Sequence, residues 1–141
     1  MIFNDLYHSG KIELELVPQG TLAERMRAGG SGLGGFLTPT GLGTEIAEGK
    51  PHIDVDGKTY VLEKALRADI ALIKAHNVDL RGNLTYRLAA RNFNPVMAMA
   101  AEHTIAQASA EVPLGEIDPE NVHTPGVYVD TYVIDKGEYD E

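Results

Sequence analysis

The pattern of apolar and polar positions divides the chain into short, alternating elements. Residues 12–17, Ile-Glu-Leu-Glu-Leu-Val, alternate with the two-residue period of a half-buried strand, and Pro18 ends it. Thr21 and Glu24 have the spacing of a capping box, and Leu22 and Met26 share one face of the short helix it would open. Gly29 is placed to cap that helix at its C-terminus. Residues 51–55 and 58–62 flank Asp56-Gly57, a strong short-range hairpin signal. Residues 69–75 form a compact apolar run that predicts a buried, parallel strand. Residues 84–86 are a short strand candidate after the Arg81-Gly82-Asn83 turn. A helix is expected over 95–102, with Asn94 as N-cap and Pro95 in its first turn. Two further strands are expected over 104–112 and 127–134. The predicted class is α/β: an open, mostly parallel sheet with flanking helices and one β-hairpin. Residues 1–134 form one domain, and 135–141 a charged, frayed tail. The abrupt start reads as the end of something rather than the start of a domain.

Composition narrows the function. Of 141 residues, 43% are hydrophobic and 23% charged, the balance of an ordinary globular domain. Twelve scattered Lys/Arg against 21 Asp/Glu give a net charge of −9, which argues against a nucleic-acid partner. The absence of cysteine removes disulfides, thiol nucleophiles and Cys-ligated zinc. No apolar run approaches the roughly 20 residues of a membrane span, and residues 1–10 show no signal-peptide apolar region. These observations give a cytoplasmic expectation with no membrane association.

Residues 29–43 hold seven of the fifteen glycines. No Gly-Lys-Ser/Thr follows, so the run is not a phosphate-binding Walker loop. Gly30, Gly32 and Gly35 match dinucleotide spacing, but after a helix instead of a strand, which is the wrong context. Two readings stay open: a loop offering backbone N–H groups to a carbonyl, thioester or phosphate oxygen, or a glycine-packed crossing between elements. Gln19, at a predicted strand end, carries an amide able to donate to an oxyanion, and is otherwise a turn residue. The five histidines lack metal-ligand spacing, and Ser9, Ser31 and Ser109 lack a nucleophile-elbow context. Arg91-Asn92-Phe93-Asn94 is either helix capping with an arginine ion pair or a substrate contact.

Three longer stretches change the picture: Pro18-Gln19-Gly20-Thr21-Leu22-Ala23-Glu24-Arg25, Arg27-Ala28-Gly29-Gly30-Ser31-Gly32, and Phe36-Leu37-Thr38-Pro39-Thr40-Gly41-Leu42-Gly43-Thr44. With Ala90-Arg91-Asn92-Phe93-Asn94-Pro95 and Thr124-Pro125-Gly126-Val127 in the same order, the chain resembles the alpha subunit of two-subunit family I 3-oxoacid coenzyme A transferases. Gly34-Gly35-Phe36-Leu37 points to the acetate/butyrate–acetoacetate type. The likeness covers residues 10–134. It implies exchange of coenzyme A between an acyl-CoA and a short-chain carboxylate, in a hetero-oligomer with a beta subunit. It further implies that coenzyme A is a substrate, with no metal or other cofactor. By carry-over, Gln19 contacts the acyl or carboxylate group, while Gly29, Gly30, Gly32, Gly34, Gly35, Thr38 and Asn94 bind substrate. Family alpha subunits carry a further N-terminal stretch with an early Gly-Gly-Phe-type loop, which is not found here. The family's catalytic glutamate sits in a beta-subunit Glu-Asn-Gly motif that this chain also lacks, so the nucleophile is expected from the partner and the isolated chain is expected to be inactive. The alternative is a non-catalytic, truncated α/β module that acts only in association with a partner.

Overall fold

A computed structural model of the chain describes residues 2–135. In chain order the elements are α1 (Ile2–His8), α2 (Gln19–Gly30), β1 (Gly35–Thr38), β2 (His52–Val55), β3 (Lys58–Lys64), β4 (Ala68–Asp79), β5 (Leu84–Thr85), α3 (Asn94–Ala100), β6 (Ala101–Val112) and β7 (Thr131–Ile134). They build two sheets. The first is antiparallel, in the order β1-β3-β2; the second runs β5-β4-β6-β7, parallel from β4 through β7 with β5 antiparallel at its end. The α/β class holds, with one sheet largely parallel and the other antiparallel.

The hairpin follows directly from local chemistry. Asp56 and Gly57 adopt φ of 50° and 75°, the paired left-handed conformation of a two-residue turn whose twist matches the strands. β2 and β3 then pair from Val55↔Lys58 to His52↔Val61. In the second sheet the core is built from small residues. Ala71, Ile73 and Ala75 of β4 and Ala106 and Ala108 of β6 pack with Ala98 of α3 and with Val78, Leu84 and Tyr86. The alanines let the helix lie close on the pleated surface, so dispersion contacts are made by backbone as well as side chains.

Beyond the core, polar bonds fasten the end of β4. The buried Asp79 carboxylate accepts from the N–H groups of Arg81 (2.8 Å) and Asn83 (3.0 Å) and from the Asn83 amide (2.8 Å). Asn83 Oδ1 in turn accepts from Gly126 N at 2.9 Å, tying the 81–83 turn to the segment before β7. Burial alone would push the Asp79 carboxyl up, but these bonds with Asn83 and Arg81 hold it below the usual carboxylate value. Tyr86 Oη and Thr124 Oγ1 share a buried 2.7 Å hydrogen bond, and the Tyr86 N–H donates to His123 Nδ1.

Several expectations are corrected. Residues 12–17 form no strand: the segment pairs with no described strand, and Leu16 is 72% exposed. Alternation gives a strand only where a ladder partner exists. Helix α2 begins two residues before Thr21, with Pro18 as N-cap, so no capping box forms; Thr21 is buried and Glu24 bonds Arg27 instead. Gly29 lies within α2, and Ser31 is the C-cap. Asn94 is the first residue of α3 and does not cap it; Phe93 holds the N-cap position. The helix stops at Ala100, and Ala101 and Glu102 belong to β6, whose pairing with β4 starts at Ala68↔Ala101. Residues 126–128 make a 3₁₀ turn, leaving only Thr131–Ile134 as strand. Finally, β4 is buried on one face only, since Ile70 and Leu72 are exposed. The sequence pattern gave no signal for α1. The expected tail from residue 135 lies, apart from Asp135, outside the described residues.

Candidate functional site

The first of the three long motifs opens helix α2. Pro18 supplies no N–H and its side chain cannot cap, and no acidic residue sits in the first turn. The first intrahelical bond is Leu22 N–H to Pro18 C=O, 2.9 Å. The N–H groups of Gln19, Gly20 and Thr21 are therefore left without a helical acceptor, at the positive end of the helix dipole. Such an end favours a negative oxygen.

Pro18, Gly20 and Thr21 line an open cavity of about 480 Å³ with Phe36, Leu37 and Thr38, a size suited to a small-molecule site. β1 reaches this wall because it is hydrogen-bonded along β3, from Gly35↔Lys64 to Thr38↔Val61. Thr38 Oγ1 accepts from Thr40 N–H at 3.1 Å, so its own O–H remains to donate. Gln19 sits between two lining residues, exposed at the helix start. Glu24 also lines the cavity. Its charge is matched by the Arg27 fork, with bonds of 2.6 to 3.0 Å that hold the Glu24 carboxyl below its usual value.

A second cavity, of about 510 Å³, lies at the far end of the glycine run, between Gly43 and His52. Two carboxylates, Glu45 and Glu48, line it, and neither has an ion pair among the described residues. A carboxylate or phosphate ligand would meet like charge there. The cavity at the α2 N-terminus is the one whose chemistry suits an anion or a developing oxyanion.

The glycine run divides in two. A side chain at Gly29 would strike the Leu66 carbonyl, and one at Gly35 the Glu63 carbonyl. At Gly30 it would meet Met99 of α3 at 2.5 to 2.8 Å. These three glycines permit α2 and β1 to press on neighbouring backbone, so packing alone accounts for them. Gly32 and Gly34 have nothing within 4 Å of a built Cβ and face open space. Thr38 lines one cavity with Pro18, Gly20 and Thr21, the chain neighbours of Gln19, and Gly32 and Gly34 have room for a ligand or partner. Asn94 is placed elsewhere: its amide donates to Lys74 C=O at 2.8 Å, fastening α3 to β4.

Sequence reasoning missed two features. The Glu24–Arg27 pair was legible as an i, i+3 spacing. The buried Glu63 (2% exposed), bonded to Lys50 Nζ at 2.7 Å, pins the segment after the glycine run onto β3. No local signal marks that pair, because the partners come from different elements. Among the described residues no group of three His, Asp or Glu side chains could hold a metal, and no helix is long and apolar enough to cross a membrane.

Residues 2–135 match the coenzyme A transferase family. The chain is 60% identical over 136 residues to a 3-oxoadipate CoA-transferase subunit of Pseudomonas putida, covering 96% of this chain and 59% of that protein. It is 54% identical over 126 residues to the alpha subunit of acetate CoA-transferase of Escherichia coli K12, covering 89% and 57%. The chain thus spans just over half the length of these relatives. Among solved structures, an acyl-CoA transferase of Escherichia coli O157:H7 superposes with a TM-score of 0.80 at 26% identity, over 94% of this chain and 30% of that one. Glutaconate coenzyme A-transferase of Acidaminococcus fermentans shares the fold, with a TM-score of 0.80 at 22% identity over 94% and 49%. A decarboxylase, AibA/AibB, shares it too, with a TM-score of 0.77 at 24% identity over 94% and 50%, so the fold by itself does not choose the reaction. The family match spans nearly all of the described residues, and this chain belongs to the coenzyme A transferase family.

Proposed function

We propose that the chain works as part of the alpha subunit of a CoA-transferase and supplies the oxyanion-stabilising wall of an active site completed by a beta subunit. The observation that supports this reading is the cavity where the α2 N-terminus, with its free N–H groups, faces Thr38, with Gln19 at the start of that helix, in a chain that matches the family over residues 2–135. In the reaction, a glutamate of the partner attacks the thioester carbonyl of acyl-CoA and expels the CoA thiolate, giving an acyl-glutamyl anhydride. The thiolate attacks the glutamyl carbonyl of that anhydride and releases the first carboxylate, leaving a glutamyl-CoA thioester; the second carboxylate reverses the sequence.

Each addition places negative charge on a carbonyl oxygen. Neutral, preorganised donors are what that oxygen needs, and the Gln19 amide and the α2 N–H groups are of that kind. Gly32 and Gly34 leave the approach open for the partner. The acid exchanged is a short-chain or 3-oxo carboxylate, since the relatives named above act on 3-oxoadipate and on acetate. The reading places the work in the cytoplasm.

The test uses the chain alone and a hybrid alpha subunit, in which this chain replaces the matched region of the Pseudomonas putida relative, each co-expressed with a CoA-transferase beta subunit. The hybrid complex is expected to transfer CoA between an acyl-CoA and acetate, succinate or 3-oxoadipate, and the chain without a beta subunit is expected to be inert. Transfer by the chain alone would defeat the assignment of the nucleophile to the partner. The second reading is a non-catalytic module that acts only in association with a partner. A hybrid complex that assembles but does not turn over any of these acids would favour it.

A further inference from the structure

One buried charge has no part in the transfer steps, the carboxylate of Glu63, and it stands next to the candidate site. In the β1–β3 ladder Glu63 is the direct partner of Phe36, and Val61 of Thr38, so the Glu63 side chain shares a face of the sheet with Phe36 and Thr38. Phe36, Thr38 and Thr40 line the α2 cavity. Residues 39–50 leave β1 after Thr38 and return to the sheet where Leu62 N–H donates to Pro51 C=O at 2.9 Å. Within this loop Gly41 and Gly43 have φ of 87° and 75°, and glycine imposes few steric limits of its own on the backbone. The loop is held by polar bonds instead. Thr40 N–H donates to Thr38 Oγ1 at 3.1 Å, Thr44 Oγ1 donates to Gly41 C=O at 2.7 Å, and Lys50 Nζ donates to Glu63 Oε1 at 2.7 Å. The last of these crosses from the loop to β3.

A buried ion pair stabilises little beyond apolar residues of the same volume, because desolvation offsets the attraction. What it supplies is direction: one ammonium and one carboxylate oxygen meet in one geometry, where methyl and methylene groups can slide. We propose that the Lys50–Glu63 pair is a positioning device for the acyl-transfer site, fixing the 39–50 loop against β3 and so setting Thr38 and Thr40 on the cavity wall, where their O–H groups donate to the accepting carboxylate. Gln19 and the α2 N–H groups are held separately. Helix α2 is fastened by Arg25 Nε donating to Lys64 C=O and by Leu66 N–H donating to Arg25 C=O, both at 2.9 Å. Loss of the pair therefore weakens carboxylate binding and spares turnover. The proposal rests on the reading of this cavity as an acyl-transfer half-site.

The test replaces the pair by apolar side chains of similar volume, Lys50→Met together with Glu63→Leu, in the hybrid complex. The melting temperature is expected to stay within a few degrees of the parent's, since an apolar replacement of a buried pair is close to neutral. KM for the accepting carboxylate is expected to rise roughly 10-fold, with kcat at saturation within about twofold of the parent's. Lys50→Arg keeps a cation on the carboxylate and is expected to hold KM within about threefold of the parent's. An unchanged KM in the double variant overturns the proposal, and so does a KM in Lys50→Arg as high as in the double variant. Should the double variant fail to fold, Glu63→Gln takes its place, and an unchanged KM there overturns the proposal equally. Hydrogen exchange in the chain alone needs neither turnover nor a partner. The N–H groups of Ala47, bonded to Thr44 C=O at 3.0 Å, and of Leu62 are expected to exchange roughly 10-fold faster without the pair, while those of β4 and β6 keep the parent's rates. Equal exchange at Ala47 and Leu62 overturns the proposal, whereas faster exchange there beside an inert hybrid bears against the half-site reading alone.

Discussion

Replacing Gly29 by alanine separates a packing role from a ligand role, because helix propensity and tertiary packing predict opposite signs. Gly29 lies inside α2, where alanine is intrinsically better by about 1 kcal/mol. The new methyl would collide with the Leu66 carbonyl and lie within 3.1 Å of Arg67 Cγ. That backbone cannot easily retreat: Leu66 N–H donates to Arg25 C=O at 2.9 Å, Arg25 Nε donates to Lys64 C=O at 2.9 Å, and Ala65 N–H donates to Gly34 C=O at 3.1 Å. Overpacking against such a fixed neighbour costs about 3 kcal/mol, the upper end of the usual range. The net expectation is a loss of about 2 kcal/mol, or roughly 6 °C in melting temperature for a chain of this size. Gly34→Ala, with open space around it, should stay within about 0.5 kcal/mol of the parent. Urea unfolding followed by far-UV circular dichroism gives both numbers. A Gly29→Ala protein as stable as the parent, or more stable, would refute the packing account of the first glycines.

Other expectations follow from the same contacts. Lys50→Ala removes the partner of a carboxylate that is 2% exposed. The loss should be about 2–3 kcal/mol in urea unfolding, below the 3–5 of a fully buried pair because Lys50 is itself 23% exposed; a loss under 0.5 kcal/mol would show the pair to be energetically idle. Burial, aided by Arg91, holds the His123 ring below its ordinary value of 6.5, so the folded chain binds this proton less readily than the unfolded one. The stability it confers is complete above pH 6.5 and declines as the pH falls through and below that value. Urea midpoints at pH 7.5 and 5.5 should differ less in His123→Gln than in the parent. Asp79 acts at lower pH: its depressed carboxyl gives stability above its ordinary 3.8 that disappears as the pH falls through the folded value. Asp79→Asn should flatten the acid limb of the stability curve below pH 4 while lowering stability at pH 7.

How much of this was legible in the sequence depends on where the deciding partner lies. The β2–β3 hairpin was legible because Asp56-Gly57 carries its own conformational instruction. β4 was legible as a strand, though its single buried face was not, because a continuous apolar run does not reveal what covers it. Residues 12–17 carry a true alternation but find no ladder, and only the three-dimensional arrangement could show that. At the candidate site, Gln19 was marked by its motif. The position of the helix start was misjudged by the capping rule, and that start is what leaves three N–H groups free beside Gln19. Gly29 and Gly30 were visible as glycines, but their partners Leu66 and Met99 come from distant parts of the chain.

The central claim, that the α2 N-terminus with Gln19 forms one half of a shared acyl-transfer site, is tested most directly by Gln19→Ala in the hybrid complex. Transfer of CoA from an acyl-CoA to the carboxylate it uses best should fall roughly 10²-fold in kcat, the scale for one lost oxyanion donor, while the folded stability and assembly with the beta subunit stay as in the parent. A kcat unchanged by Gln19→Ala, in a complex of normal stability, would contradict it.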